Sequence, residues 1–271
     1  MFFTEFSHGT IFRITADPVG AYVTDTWVTL NASMILGLSP MPNASRMYVV
    51  GLADDPKVTC LWSFSTTTPQ DLRLEVMLDD LAGNGGNGLG VDARTGIVYT
   101  AGEGLFVDGT GAVFQFDPST GLVSKVANHT DATDGLWIDP TTSIMYVSEL
   151  INGKVMRWQL SDSSPPQPLT TFSVVPELSL IDDFTVSSDD SGQRVLVYAH
   201  YGKSAIESVV IPPVDSSAAG TPTVLVSSSD GLRFPTSVRF GDGSKGFPAS
   251  SAFVTEGILL SAACRVLRVD F

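Results

Sequence analysis

Carboxylate, amide and imidazole side chains recur at the points where predicted β-strands begin or end. In chain order these residues are Asn87, Asp134, Glu149, Asp182, Asp183 and His200. Oxygen ligands of this kind suit Ca²⁺, Mg²⁺ or Mn²⁺ better than zinc, and imidazole can act as a general acid or base near neutral pH. The sequence therefore offers two kinds of chemistry. One is a divalent-metal site with Asp134 and Asp182 as ligands, and the other is metal-free catalysis by proton transfer or hydrogen bonding.

The metal-free alternative has three candidate catalytic residues, His200, Asp183 and Arg233. Arg233 lies just before the last predicted strand start and could bind an anionic or enolate-like oxygen. Each of the three also has a structural interpretation, because a strand-end acid more often caps a turn and a histidine or arginine can be packed or solvated at a rim. Asp182 and Asp183 are harder to explain in that way, since two adjacent charges at the start of a buried strand need a cation or hydrogen bonds.

Side chains near the same strand ends are also candidates for contacting a substrate. They are Asn87, Trp137, Glu149, Phe184, Tyr201 and Thr236. Aromatic rings provide large apolar contact areas, although most of these rings are also expected to pack between sheets. Whether these residues lie close together in space depends on how the strands that contain them are arranged.

A four-strand pattern recurs six times and decides the predicted fold. The recurring segments are GTIFRI, CLWSFS, GAVFQFD, GKVMRWQL, SAIESVVI and CRVLRVDF. Each follows another strand-like run, as IMYVSEL precedes GKVMRWQL, and five are followed by an alternating strand. Four short strands at a period of about 45 residues are typical of a β-propeller blade. The sequence therefore predicts an all-β fold, a six-bladed β-propeller in which strand ends from separate blades meet at one mouth of a central channel.

The predicted blades, with strands A to D running outward from the axis, form a single domain over residues 1–271. Blade 1 is partial and spans 1–28, and the other five span 34–79, 87–129, 134–173, 182–228 and 234–271. The pattern lacks the A strand of the first blade and the D strand of the last. Since propellers usually close with an N-terminal segment, we expect both strands to come from a segment upstream of Met1.

Composition and charge restrict the expected partners and location. Fifteen basic residues against 29 acidic ones leave a net charge of −14, which repels phosphate backbones and argues against nucleic acid as a partner. No apolar run approaches the roughly 18 residues of a membrane span. Asn31, Asn43 and Asn128 lie in Asn-x-Ser/Thr sequons. We therefore expect a glycosylated protein of the secretory pathway if a leader precedes this sequence, and a cytoplasmic protein otherwise.

The motifs at the blade starts resemble those of the gluconolactonase/regucalcin-like propeller family. They are NGLGVD, DGLWID, DDFTVS, and FPTSVRFG followed by AFVTEG. In lactonase members of that family a blade-one glutamate, an asparagine and an aspartate hold a divalent metal, and a second asparagine contacts the substrate. The resemblance implies that Asn87 matches the substrate-side asparagine and that Asp134 replaces the ligand asparagine. Asp182 or Asp183 would match the ligand aspartate, whereas the glutamate would begin the A strand that blade 1 lacks.

The same motifs resemble more closely a fungal branch of this family with enzymes of natural-product pathways. That branch is similar to the hetero-Diels–Alderases that join a tropolone quinone methide to a sesquiterpene such as humulene. Such a reaction needs an apolar cavity that orients two reactants and a donor that polarises an oxygen, and it requires no cofactor. We therefore expect a fungal secondary-metabolite enzyme of this type, acting on small apolar, polyketide or terpenoid substrates.

Two other hypotheses remain open at this stage. One is a lactonase of the gluconolactonase type that uses Ca²⁺ or another divalent metal. The other is a non-catalytic, ligand-binding propeller. The sequence does not indicate an oligomeric state.

Overall fold

The computed structural model describes the chain with short gaps between the described segments. The described residues are 1–5, 8–17, 21–41, 45–54, 58–78, 86–102, 111–162, 164–174, 180–188, 192–218, 220–241, 243, 247–257 and 265–270. Within them the chain forms 22 β-strands and two short 3₁₀ helices, η1 (Tyr201–Lys203) and η2 (Ser228–Asp230). The described residues thus form an almost purely β protein.

Strands adjacent in the chain pair into six antiparallel sheets. Blade 1 contains β1 (Phe2–Glu5), β2 (Thr10–Ala16) and β3 (Tyr22–Thr29). Blade 2 contains β4 (Ala32–Pro40), β5 (Arg46–Ala53), β6 (Thr59–Ser65) and β7 (Leu72–Leu78). Blade 3 contains β8 (Gly86–Val91), β9 (Val98–Gly102), β10 (Gly111–Asp117) and β11 (Leu122–Thr130).

The second half of the chain repeats this order. Blade 4 contains β12 (Thr133–Ile138), β13 (Ile144–Glu149), β14 (Lys154–Gln159) and β15 (Gln167–Ser173). Blade 5 contains β16 (Ile181–Ser188), β17 (Arg194–His200), β18 (Ala205–Val210) and β19 (Thr223–Val226). Blade 6 contains β20 (Pro235–Phe240), β21 (Ser251–Glu256) and β22 (Arg265–Asp270).

This order of sheets confirms the predicted six-bladed β-propeller. Among the described residues the first and last sheets have three strands each, and the missing ones are the A strand of blade 1 and the D strand of blade 6, as predicted. The segments that the sequence repeats six times are the C strands β2, β6, β10, β14, β18 and β22. In the part of the chain described above, no helix has the length and apolar character needed to cross a membrane.

Burial along the strands follows their position in the blade. Every residue of β6 and of β13 is buried, which is expected of strands covered on both faces of their sheet. Most residues of the outer strand β7 are instead exposed, and only Leu78 is buried. The inner strands therefore form the core, and the outer strands carry the charged surface.

The described chain divides into two compact units. The first unit is Met1–Ser143 with Leu160–Pro166, and the second is Ile144–Gln159 with Gln167–Phe271. In the first unit, blades 2 and 3 share a core of Tyr48, Val50, Leu61, Leu89, Val98 and Phe116. In the second unit, blades 5 and 6 share a core of Val197, Ala199, Ile206, Leu232, Val238, Ala252 and Val254. A single domain over 1–271 stays a prediction.

Candidate functional site

The A strands β4, β8, β16 and β20 each carry a β-bulge, where one strand has an extra residue relative to its partner. The bulges contain Leu36, Asn87, the pair Asp182–Asp183, and Thr236. A bulge bends its strand and re-aims the side chain that it carries. Three of these four bulges hold predicted site residues, which therefore share a local backbone feature that a simple alternating pattern does not reveal.

In the first unit, glycines bring the A strands of neighbouring blades into backbone contact. A Cβ atom on Gly37 would lie 2.2 Å from the carbonyl oxygen of Asn87. A Cβ atom on Gly88 would lie 2.2 Å from the carbonyl oxygen of Asp134. Asn87 and Asp134 are therefore brought together on directly adjacent strands. Asp134 is buried, and Trp137 lies half-buried three residues further along β12.

In the second unit, the carboxylate of Asp183 joins the A strands of blades 5 and 6. Its Oδ1 accepts a hydrogen bond of 2.8 Å from the backbone N–H of Phe184. Its Oδ2 accepts a hydrogen bond of 2.7 Å from the hydroxyl of Ser237 and lies 2.7 Å from Nη2 of Arg239. These contacts supply the hydrogen bonds that Asp183 was expected to need. They give Asp183 a structural role, and its predicted catalytic role stays a prediction.

Asp182 lies beside the phenol of Tyr201. Burial and, after it, the negative charge of Asp182 raise the pKa of the Tyr201 hydroxyl above its ordinary value. The carbonyl oxygen of Asp182 accepts a hydrogen bond of 3.2 Å from the hydroxyl of Ser148. Glu149 follows Ser148 at the end of β13 and is buried. The second unit thus brings Asp182 and Tyr201 together.

Tyr201 begins η1 and packs against Phe234, which immediately precedes β20. The ring centroids lie 5.3 Å apart with an angle of 41° between the ring planes. Tyr201 is half-buried and Phe234 is 38% exposed. The two rings therefore form a partly open apolar surface. Phe184, by contrast, has no exposed surface and packs in the core, and its predicted contact with a substrate stays a prediction.

The backbone around Tyr201 is strained at three positions. Leu180, Ser204 and Phe234 have positive φ angles of 55°, 50° and 46°, a conformation that is unusual for bulky side chains such as leucine and phenylalanine. Hydrogen bonds hold the three residues in place. Tyr201 N–H donates to the Leu180 carbonyl at 3.1 Å, and Phe234 N–H donates to Ser204 Oγ at 3.3 Å. Such strain concentrates at functional sites. We refer to Leu180, Asp182, Tyr201, Ser204 and Phe234 as the Tyr201 site.

His200 ends β17 and is buried. Its Nδ1 lies 2.7 Å from Oε2 of Glu207, which also accepts a hydrogen bond of 2.7 Å from the hydroxyl of Tyr198. Lys203 Nζ donates to the other oxygen of the same carboxylate at 3.3 Å. The structure therefore places His200 in a packed polar network, which is the structural interpretation that the sequence left open. Its role as an acid or base stays a prediction.

Arg233 is exposed and adjoins Phe234 in the chain. Its backbone N–H donates to the carboxylate of Glu256, and that carboxylate also accepts a hydrogen bond from the side chain of Arg265. Thr236 is half-buried, and its Oγ1 lies 3.0 Å from Oγ1 of Thr255. Arg233 is thus an exposed residue that precedes Phe234 of the Tyr201 site in the chain, whereas Thr236 contacts its own blade.

Sequence reasoning missed three residues of this region. Glu207 could have been found, because it is a lone acid inside the apolar run AIESVV. Leu180 and Ser204 could not have been found from the sequence, because leucine and serine are not residue types that predict a positive φ.

Comparison with solved structures gives a likeness over almost the whole chain. A luciferin-regenerating enzyme is 16% identical with a TM-score of 0.66, covering 100% of this chain and 87% of its own. Regucalcin, a calcium-binding protein of Agrobacterium tumefaciens, is 18% identical with a TM-score of 0.61, covering 94% and 81%. The PQQ-bound aldose sugar dehydrogenase of Streptomyces coelicolor is 12% identical with a TM-score of 0.64, covering 99% and 90%. The likeness shows the fold. No family model matches the sequence, and no curated protein matches it.

The predicted metal ligands Asp134 and Asp182 supply oxygen atoms that suit a hard divalent cation. They belong to different units. Within the described segments, no group of three or more His, Cys, Asp or Glu residues could hold a metal ion. Metal binding stays a prediction.

The structure describes only part of the three predicted glycosylation sites. Asn31 is exposed between β3 and β4. Asn43 lies outside the described residues, and so does the side chain of Asn128. Glycosylation stays a prediction at all three.

Proposed function

We propose that this protein is a small-molecule enzyme that binds a largely apolar, oxygen-bearing substrate at the Tyr201 site. The proposed reaction is a hetero-Diels–Alder cycloaddition in fungal secondary metabolism, between a tropolone quinone methide and a sesquiterpene. The observation that carries the proposal is the partly open pair of Tyr201 and Phe234, held by strained backbone. The motif resemblance to the fungal branch supports the choice of reaction.

The aromatic pair suits the binding part of such a reaction. A cycloaddition is accelerated when two apolar reactants are held in one orientation, and no nucleophile is needed. The rings of Tyr201 and Phe234 offer an apolar face, and the hydrogen bonds at Leu180 and Ser204 fix that face before the substrate arrives. Preorganisation of this kind reduces the entropy that binding costs.

The hydroxyl of Tyr201 suits the chemical part of the reaction. Burial and, after it, Asp182 raise the pKa of this phenol above its ordinary value near 10. Like an ordinary phenol, it therefore keeps its proton at neutral pH and can donate a hydrogen bond. A donor aimed at the oxygen of a quinone methide stabilises the negative charge that develops there during the reaction. Arg233, exposed beside Phe234, supplies a second donor for the same kind of oxygen.

The direct test supplies the purified protein with a tropolone quinone methide precursor and humulene. We expect a single enantiomer of the adduct, detected by chiral chromatography with mass spectrometry. Tyr201→Phe should lower kcat about tenfold, the worth of one hydrogen bond of about 1.4 kcal/mol. Phe234→Ala should mainly raise KM. Tyr22→Phe on the outer strand β3 is the matched control. Racemic adduct formed at the rate without protein would refute the proposal, and binding without turnover would instead indicate a ligand-binding propeller.

A lactonase is the second candidate, favoured by the adjacency of Asn87 and Asp134 on neighbouring A strands and by the family resemblance. A divalent cation held by Asp134 or Asp182 would polarise the lactone carbonyl. Hydrolysis of gluconolactone that rises with Ca²⁺ or Mn²⁺, together with calorimetric metal binding weakened by Asp134→Asn, would support it. The absence of both metal binding and lactone hydrolysis would rule out the lactonase candidate.

A further inference from the structure

The buried carboxylate of Glu207 lies at the centre of a polar network beneath η1. Glu207 belongs to β18 and pairs directly with Tyr198 of β17. Its Oε2 accepts a hydrogen bond of 2.7 Å from the Tyr198 hydroxyl and also lies 2.7 Å from Nδ1 of His200. Its Oε1 accepts a hydrogen bond from Lys203 at 3.3 Å. A carboxylate in the core is thus held by three side chains, one from within β17 and two from the residues that flank or end η1.

Two of these three side chains lie at the two ends of η1. His200 immediately precedes the helix, and Lys203 is its last residue. The helix itself has no buried residue and no side-chain cap, and the next residue, Ser204, has a left-handed backbone. Burial and side-chain capping, which normally stabilise a short helix, are therefore both lacking in η1. Its other contacts are the backbone hydrogen bonds from Tyr201 N–H to Leu180 and from Ser204 N–H to Tyr201, and the ring contact of Tyr201 with Phe234.

We propose that Glu207 is a positioning residue for the Tyr201 site, because its carboxylate ties both ends of η1 and so holds the Tyr201 ring against Phe234. The proposal rests on the proposed ligand site. Nothing in the proposed reaction requires Glu207 to touch the substrate, since it is buried and acts through His200 and Lys203.

The charge of the carboxylate is maintained at neutral pH. Burial alone would raise the pKa of Glu207, but the hydrogen bonds from Tyr198 and His200 and the nearby ammonium group of Lys203 outweigh it, so that its pKa is lowered. Hydrogen bonds to a charged acceptor are also stronger than those between neutral groups. A neutral amide at this position would therefore hold η1 less firmly, even though it has nearly the same shape.

The test compares Glu207→Gln with the wild type in two measurements. One is the affinity for the dye anilinonaphthalene sulfonate, an aromatic anion, followed by fluorescence. The other is hydrogen–deuterium exchange of the amides of η1. We expect the dye to bind about tenfold more weakly and the η1 amides to exchange faster, while those of β17 and β18 stay protected. Glu207→Asp, which keeps the charge, should recover part of the affinity.

Two further variants keep the test decisive. Lys203→Gln alters a side chain that is 56% exposed, so it should fold normally and weaken dye binding about threefold. Glu75→Gln is the control. It removes the charge of an exposed carboxylate on the outer strand β7, which accepts a hydrogen bond from Ser63, and it should change neither dye affinity nor amide exchange. Wild-type affinity and wild-type exchange in both Glu207→Gln and Lys203→Gln would overturn the proposal.

The outcome also separates this proposal from the ligand site on which it rests. If Phe234→Ala binds the dye as well as the wild type does, the Tyr201 site is not where the dye binds, and the ligand site fails. Exchange of the η1 amides in Glu207→Gln still decides whether Glu207 holds η1.

Discussion

The carboxylate of Asp183 joins two strands that are far apart in the sequence. It accepts hydrogen bonds from Phe184 N–H and from the hydroxyl of Ser237, and it pairs with Arg239. The side chain is 18% exposed, so its partners are only weakly screened by water. A single residue thus fixes β20 to the bulge of β16, and it follows Asp182 of the Tyr201 site in the chain.

Replacing Asp183 should therefore cost more than replacing an acid in a surface pair. We expect Asp183→Ala to lower the free energy of unfolding by about 2–3 kcal/mol, because it removes the carboxylate that accepts the hydrogen bond from Ser237 and pairs with Arg239. Asp25→Ala, which breaks the surface pair with Arg13 at 44% exposure, should cost less than about 1 kcal/mol. Urea denaturation of both variants measures the difference. Equal losses would show that Asp183 is no more than a surface acid.

The sequence predicted that the two adjacent acids need partners, but it did not predict which residues those partners are. Two adjacent acids at a strand start have to find hydrogen bonds or a cation whatever the fold, so Asp182 and Asp183 could be singled out. The identity of the partners depends on which way the bulge turns each side chain. Ser237 and Arg239 lie 54 and 56 positions after Asp183 in the chain, and no local pattern connects them.

Among the elements, the A strands are spaced by glycines. Gly37 and Gly88 have no side chain where the backbone of the next A strand passes. A methyl group added at either position would overlap a carbonyl oxygen at 2.2 Å, and neither strand can move away because each is paired with its own B strand. Close approach of two backbones is the reason why glycine is needed there.

Gly88→Ala should consequently destabilise the first unit and disturb the position of Asp134. Overpacking of this kind costs about 1–3 kcal/mol, and we expect a loss in that range from urea denaturation. Gly220→Ala is the matched control, since a Cβ atom at Gly220 meets nothing within 4 Å. If the two alanine variants were equally stable, the close strand contact at Gly88 would be wrong.

The strands could be predicted from the sequence, whereas the connection that carries the candidate site could not. Alternating and continuous apolar runs identify strands whatever lies around them, and the six C strands appear at the predicted positions. η1 is three residues long, too short for any periodicity. Its shape depends on the positive φ of Ser204 and on the contact between Lys203 and Glu207, which no local sequence pattern predicts.

Over the whole molecule, the repeat decided the fold because six copies of one pattern leave few alternatives. The apolar strand residues then have to be buried together with any tyrosine among them. Tyr48, Tyr99 and Tyr198 are all buried, and burial raises the pKa of each hydroxyl, that of Tyr99 to about 12. These three phenols make the stability of the chain sensitive to alkaline pH.

We expect the free energy of unfolding to fall as the pH rises above about 10. In the unfolded chain a tyrosine loses its proton near pH 10, whereas the folded chain keeps the protons of Tyr48, Tyr99 and Tyr198. The unfolded state then binds fewer protons, so stability is full below about pH 10 and decreases above it. Each buried phenol contributes roughly 1.4 kcal/mol per pH unit, and for Tyr99 the loss continues to about pH 12.

Urea midpoints measured from neutral pH to about pH 11, together with the ultraviolet absorbance of tyrosinate, test this expectation. Tyr198→Phe removes one of the three phenols, and with it the hydrogen bond to Glu207. It should therefore be less stable at neutral pH but lose less stability on going to alkaline pH, so that the two stability curves converge. A Tyr198→Phe curve that stays parallel to that of the wild type would mean that Tyr198 ionises as readily in the folded chain as in the unfolded one.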